Sequence, residues 1–155
     1  MTSQRIKSLR DPAVKMSKSD ADRLSSILLT DSSDLVRHKL RKAVTDMTPS
    51  ISYDRCTRPG VSNLVDIVSA FSGASVDDVC VSCRHLDTVG FKNHVSDVVI
   101  ERLGPVSAEI ARLLSDTSHL STVIAEGNAK ARDIADRTYK EVSRHIGLQP
   151  STDTQ

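Results

Sequence analysis

Lys15 and Lys18 lie three residues apart in the stretch Lys-Met-Ser-Lys-Ser, which occupies residues 15–19. A lysine ammonium is a compact charge on a flexible stem, so it can follow phosphate charge that moves during a reaction. The hydroxyls of Ser17 and Ser19 can bond to oxygens or to the loop backbone without adding bulk. The stretch is therefore a candidate phosphate-binding loop. The alternative is a solvated basic turn.

The same five residues are the second signature of class I aminoacyl-tRNA synthetases, known as the KMSKS motif. Further segments, in matching order and spacing, extend the likeness: 5–12, 27–31, 41–46 and 58–64. Together they resemble the C-terminal part of tryptophanyl-tRNA synthetases, closest to the bacterial and mitochondrial branch. Tyrosyl enzymes have a similar loop, but the run Arg-Pro-Gly-Val-Ser-Asn-Leu at 58–64 favours the tryptophan family. The resemblance covers residues 1 to about 148.

Three departures accompany this resemblance. The family's first signature, a His-Ile-Gly-His-type element, is absent, and His-Ile-Gly-Leu at 145–148 lies near the wrong terminus. The strands that would form the tryptophan pocket and the adenine site are also missing. Ala21 stands where the family pattern has proline, which predicts a less stiff loop. We expect the chain to be a fragment or short isoform that begins just upstream of the KMSKS loop.

The resemblance implies an ATP-dependent tryptophan–tRNA ligase. It assigns Lys15 and Lys18 as catalytic cations and the whole stretch as the nucleotide-binding loop: Lys15, Met16, Ser17, Lys18 and Ser19. Implied partners are ATP, tryptophan and the tRNA for tryptophan, with Mg²⁺ arriving through the nucleotide and no metal site in the chain. The complete enzyme is expected to be a homodimer of the mitochondrial matrix or, alternatively, of a bacterial or organellar cytoplasm. The rival hypotheses are a non-catalytic helical RNA-binding or interaction module and an inactive truncated isoform.

Composition limits the other possibilities. The chain has 155 residues and a net charge of +1, but basic residues are concentrated in its first 23 positions. That block favours a polyanion partner over a generic solvated tail. Aromatic residues make up 3% and tryptophan is absent, which argues against base stacking on an aromatic platform. No apolar run approaches the roughly 20 residues of a membrane span.

The cysteines offer a weak case for a metal site. Cys80 and Cys83 form a Cys-x-x-Cys pair with His85 nearby, while Cys56 lies elsewhere. Zinc binding is conceivable on that spacing, but no second pair exists. The pair also shares a helical arc with apolar neighbours, so we interpret the cysteines as reduced core thiols.

Periodicity predicts a mostly α fold. The resemblance implies that this fold is a helical domain of the anticodon-binding type, preceded by the KMSKS-loop end of a missing Rossmann-type catalytic domain. The predicted domains are 1–32 (end of the catalytic domain), 33–147 (helical tRNA-binding domain) and 148–155 (disordered tail). We expect helices at about 33–46, 61–71, 76–84 and 118–146. A further helical pattern begins near residue 95, and Gly104-Pro105 predicts a kink or break within it.

The first of these helices carries the candidate RNA surface. Its polar side holds a cluster of basic residues: Arg37, Lys39, Arg41 and Lys42. Phosphate contacts from such a face would provide affinity and position without reading sequence. The alternative is an ordinary solvated helix face.

Overall fold

The computed structural model describes residues 5–148, so the end of the predicted tail, from residue 149, lies outside the described residues. Within this range the secondary structure is five α-helices and one isolated antiparallel bridge, which confirms the mostly α prediction. The helices are α1 (Ser33–Arg41), α2 (Pro59–Ser72), α3 (Val76–Cys83), α4 (Thr88–Ser115) and α5 (Thr117–His145).

Helix α1 begins as predicted but ends early. Ser32 is its N-cap, and the serine hydroxyl accepts a hydrogen bond from the Leu35 amide at 3.3 Å. The expected end at Asp46 is wrong, because the helix stops at Arg41. Beyond that point the Val44 amide donates to the carbonyl of Leu9 at 2.7 Å. A tertiary hydrogen bond thus takes the donor that continuing the helix would have used.

Helix α2 is the central element of the fold. Pro59 occupies its first turn, where the missing amide hydrogen costs nothing, and Gly73 ends it in the left-handed conformation at φ +75°. Gly60 is required by packing, since a Cβ there would lie 2.2 Å from the carbonyl oxygen of Val44. Residues 60–68 of α2 are all buried.

The remaining helices largely follow the predictions. Ser75 caps α3 by accepting a hydrogen bond from the Asp78 amide at 3.1 Å. Helix α4 begins at Thr88 and runs through Pro105, so the chain does not break there and a kink at Gly104-Pro105 stays a prediction. Proline removes one backbone donor, and the turns on either side keep the helix continuous.

One compact unit, Met1–Ala111, contains the hydrophobic core. Leu9, from the segment before the KMSKS loop, is 2% exposed and belongs to the same cluster as Leu40 of α1 and Leu64 of α2. The segment before the KMSKS loop therefore packs in the same core as α1 and α2. The predicted boundary after residue 32 stays a prediction about the domains of a longer protein.

The second unit is Arg112–Gln155, which contains α5. Asp116 caps this helix. Arg137 pairs with Asp133 one turn earlier, which is the intrahelical pairing typical of a solvated helix face. Apolar side chains of α5 are exposed to solvent: Ile124 is 61% exposed and Ile134 is 65% exposed. None of the described helices is long and apolar enough to cross a membrane.

Candidate functional site

The entry to the KMSKS loop is a short hairpin-like pairing. Lys7 and Lys15 form the antiparallel bridge, and hydrogen bonds flank it on both sides. The Ser8 amide donates to the Val14 carbonyl at 2.9 Å, and the Met16 amide donates to the Ile6 carbonyl at 3.1 Å. No motif or periodicity indicated this pairing, which fixes the base of the loop to the segment before it.

The loop presents two lysines to solvent. Lys15 and Lys18 are exposed, and neither ammonium has a hydrogen bond or ion pair to any residue between 5 and 148. Ser17 and Ser19 share a hydrogen bond of 2.9 Å between their hydroxyls, while Met16 packs partly against the core. The five predicted residues therefore combine an apolar anchor, Met16, with two cations that have no partner among the described residues. A loop of this kind can bind a phosphate chain without first breaking an ion pair.

Aspartates shape the turns on either side of this loop. Asp11 accepts a hydrogen bond from the Ala13 amide, and Asp20 and Asp22 each accept one from the amide two residues ahead. Asp22 also pairs with Arg10 at 3.2 Å, and Arg10 donates to the Lys42 carbonyl at 2.7 Å. Arg10 is thus a structural cation that ties the loop region to the end of α1.

The basic face of α1 is smaller than predicted. Arg37, Arg41 and Lys42 are exposed, but Lys39 is 3% exposed. Its ammonium donates to Asp31 at 2.6 Å and to the Ser26 carbonyl at 2.8 Å. The prediction that Lys39 faces RNA is therefore wrong, because its ammonium group is buried and already paired.

Arg37 is exposed but not free. Its guanidinium lies 2.6 Å from a carboxylate oxygen of Asp97 on α4, and both side chains are at least half exposed. An exposed pair of this kind contributes about 0–1 kcal/mol, so a polyanion could displace Asp97 at little cost. Arg41 and Lys42 have no acidic partner among the described residues. Three cations, Arg37, Arg41 and Lys42, thus make up the candidate RNA surface.

Arg58 organises the connector between α1 and α2. Its guanidinium is buried and binds both oxygens of Asp46, at 3.0 and 2.8 Å. It also donates to the carbonyls of Thr48 and Ser50 and to the hydroxyl of Ser52. The hydrogen bond from Arg58 holds the pKa of the Asp46 carboxyl at about 2. One side chain therefore fixes an irregular stretch that has no helix or strand of its own.

A second polar cluster follows in the same connector. Asp66 of α2 is 5% exposed and accepts hydrogen bonds from the Tyr53 hydroxyl and from Arg55, both at 3.0 Å. Burial, together with the Asp66 carboxylate, raises the pKa of the Tyr53 phenol. Both clusters are structural, since every charged member already has a partner.

The cysteines do not behave as one group. Cys83 is buried and Cys80 is half-buried, and burial raises the pKa of the Cys80 thiol. Cys56 is exposed, so the prediction that all are core thiols is wrong for this residue. Between residues 5 and 148 no three histidine, cysteine or acidic side chains come together as a metal site.

Asn63 is a residue of the site that sequence reasoning did not single out. It lies on α2, is 4% exposed, and makes two hydrogen bonds with the backbone of Lys7, directly below the loop. Its position within Arg-Pro-Gly-Val-Ser-Asn-Leu was the only sequence signal. That run marked the family without revealing what the asparagine contacts.

Comparison with known proteins places these features in a family. A family model described as tRNA synthetases class I (W and Y) matches residues 1–104. The tryptophan–tRNA ligase of Rickettsia prowazekii is 38% identical over 147 residues, which is 95% of this chain and 44% of that protein. The ligase of Clostridium perfringens is 36% identical over 146 residues, again 44% of its length.

Solved structures agree with the sequence matches. The crystal structure of tryptophanyl-tRNA synthetase from Mycoplasma pneumoniae superposes with a TM-score of 0.72 at 25% identity, covering 94% of this chain and 44% of that one. The chain thus spans less than half the length of the relatives it matches, and it corresponds to their C-terminal part.

Proposed function

Because the chain belongs to the class I tRNA synthetase family for tryptophan and tyrosine, we propose that it acts within a longer tryptophan–tRNA ligase. The observation that carries this proposal is the KMSKS loop, whose two ammonium groups are exposed and unpaired within the described residues. Identity of 35–38% to tryptophan–tRNA ligases over about 95% of the chain supports tryptophan as the amino acid.

The reaction has two steps. A carboxylate oxygen of tryptophan forms a bond to the α-phosphorus of ATP, the bond to the bridging oxygen breaks, and pyrophosphate leaves. A terminal hydroxyl of the tRNA then attacks the carbonyl carbon, and AMP leaves. Lys15 and Lys18 act in the first step, because negative charge grows on the departing pyrophosphate and nearby cations stabilise it.

The serines and the metal have smaller parts in this proposal. Ser17 and Ser19 shape the loop through their mutual hydrogen bond, and either hydroxyl can turn to a phosphate oxygen. Mg²⁺ would be held by the nucleotide phosphates, as it usually is at a triphosphate. We assign no step to it.

The tRNA is proposed to contact the exposed cations of α1: Arg37, Arg41 and Lys42. These charges would bind backbone phosphates and position the tRNA rather than read its sequence. A homodimer of the complete enzyme is part of the proposal on family grounds alone. The relatives named above are bacterial, which fits the alternative prediction of a bacterial or organellar cytoplasm and gives the mitochondrial matrix no support.

The decisive experiment measures tryptophan-dependent ATP–pyrophosphate exchange in the longer protein that contains this chain. We expect Lys18→Ala to lower the exchange rate about a hundredfold, corresponding to about 3 kcal/mol of lost transition-state stabilisation, without changing the KM for tryptophan. Lys42→Ala is the matched control, because it also removes an exposed cation. It should leave exchange intact and weaken the transfer to tRNA.

Two results would count against the proposal. No exchange with tryptophan from the longer protein, combined with retained RNA binding, would favour the non-catalytic RNA-binding module. An unchanged rate for Lys18→Ala with a raised KM for ATP would make Lys18 a tether for the nucleotide rather than a catalytic cation.

A further inference from the structure

Asn63 uses its whole carboxamide group to hold one residue of the loop region. The Lys7 amide donates to Asn63 Oδ1 at 2.7 Å, and Asn63 Nδ2 donates to the Lys7 carbonyl at 2.9 Å. The asparagine is 4% exposed, and its neighbours along α2 are also buried. The carboxamide therefore pairs with Lys7 as a neighbouring strand would, with one donor and one acceptor.

The two edges of the segment around Lys7 are used by different partners. In an extended chain, successive residues direct their amide and carbonyl groups to opposite edges. Ile6 and Ser8 bond to Met16 and Val14 on the loop side, while Lys7 bonds to Asn63 on the helix side. The segment is thus held between the KMSKS loop and α2.

We propose that Asn63 is a positioning residue that sets the register of the KMSKS loop, and thereby the placement of Lys15 and Lys18. This inference rests on the function proposed above. The neighbouring contacts of the segment, from Leu9 to Ser25 and to Val44, join backbone atoms, so a side-chain substitution does not remove their donors or acceptors. The helix-side contact of Lys7 comes from a side chain, so a single substitution can release it.

The structural test compares two substitutions at adjacent buried positions of α2. Asn63→Leu removes both bonds to Lys7, while the control Ser62→Ala removes a bond from the Asp54 amide to the serine hydroxyl, 2.9 Å long, in the connector. In hydrogen exchange on the full chain, we expect Asn63→Leu to speed exchange at Lys7, Ser8 and Met16 about tenfold, as the loss of a net hydrogen bond predicts. Ser62→Ala should affect only the connector.

A milder variant keeps the test open if Asn63→Leu does not fold. Asn63→Ala removes both bonds to Lys7 without adding bulk or charge to the buried site, so it should raise exchange at the same amides by about the same factor. Unchanged exchange at Ser8 and Met16 in a folded Asn63 variant would overturn the proposal, because the loop would then be in register without the asparagine.

The catalytic test separates positioning from general destabilisation. In the longer protein, Asn63→Ala should lower kcat for ATP–pyrophosphate exchange about tenfold with the KM for tryptophan unchanged, since the placement of the transition-state charges is altered and no charge is added. An equal loss of kcat in Ser62→Ala would overturn the positioning role. If the unmodified longer protein shows no ATP–pyrophosphate exchange, the proposed ligase function is wrong. The amide hydrogen-exchange measurement would still decide whether Asn63 holds the loop.

Discussion

The contact between Asp46 and Arg58 should make the stability of the chain depend on pH within a defined acidic range. Arg58 is 9% exposed at its side chain and Asp46 is 28% exposed, so the pair is only partly shielded from water. We consider the substitution Asp46→Asn, which removes the charge and keeps the size. The guanidinium would then lose its carboxylate partner while still bonding to the connector carbonyls.

The magnitude follows from the pKa of Asp46. Its folded-state value is about 2, against 3.8 in the absence of the fold. Each pKa unit corresponds to about 1.4 kcal/mol, which gives at most about 2.4 kcal/mol for this carboxylate. Exposure to solvent weakens the pair, so we expect about 1–2 kcal/mol. Because the folded pKa is depressed, this contribution is complete above pH 3.8 and is lost as the pH falls through about 2.

The assay is urea unfolding of the full chain at pH 7, 4 and 2.5, with circular dichroism as the readout. Asp46→Asn should lower the free energy of unfolding most at pH 7, and its difference from the unmodified chain should shrink between pH 4 and 2.5. Asp34→Asn, at an exposed carboxylate in the first turn of α1, is the control and should cost only about 0.3–0.5 kcal/mol. A difference for Asp46→Asn that stays constant over the pH range would refute the reasoning.

Three further substitutions or probes test other parts of the packing. Lys39→Ala should destabilise the chain by about 3–5 kcal/mol in urea unfolding, because it leaves a buried carboxylate unpaired; a cost below 1 kcal/mol would mean that Lys39 is solvated after all. Gly60→Ala should cost about 3 kcal/mol, since the new methyl group would meet the Val44 carbonyl; an unchanged melting temperature would contradict this close approach. In the native chain a thiol reagent should modify Cys56 rapidly and Cys83 only on unfolding; equal rates at the two thiols would show that the core opens readily.

Features set by local sequence were predictable. Ser75 and Gly73 determine where helices begin and end because each acts through atoms a few residues away. The end of α1 was not predictable in this way, since Val44 leaves the helical pattern to bond to Leu9, far earlier in the chain. No periodicity contains that information.

The polar side of α1 shows the same limit for charge. Periodicity placed Lys39 with its neighbouring cations, because lysine is rarely buried unless it is paired. The partner, Asp31, precedes the helix by only a few residues and also accepts a bond from the Leu28 amide, so it is held in place independently. A buried ion pair of this kind can be predicted only when both partners are identified, and the sequence pattern identified only one of them.

The role proposed for the KMSKS loop places two opposing requirements on its structure. Cations that stabilise the departing pyrophosphate must be free to follow it, which favours exposed ammonium groups on flexible stems. Their starting position must nevertheless be set closely, since small misplacements are costly in rate. Here the ammonium groups of Lys15 and Lys18 have no partner among residues 5–148, while the base of the loop is bound through Lys7 to Asn63 and through Leu9 to the core. The segment around Lys7 is bonded on both edges, so the two exposed ammonium groups extend from a loop whose base is fixed.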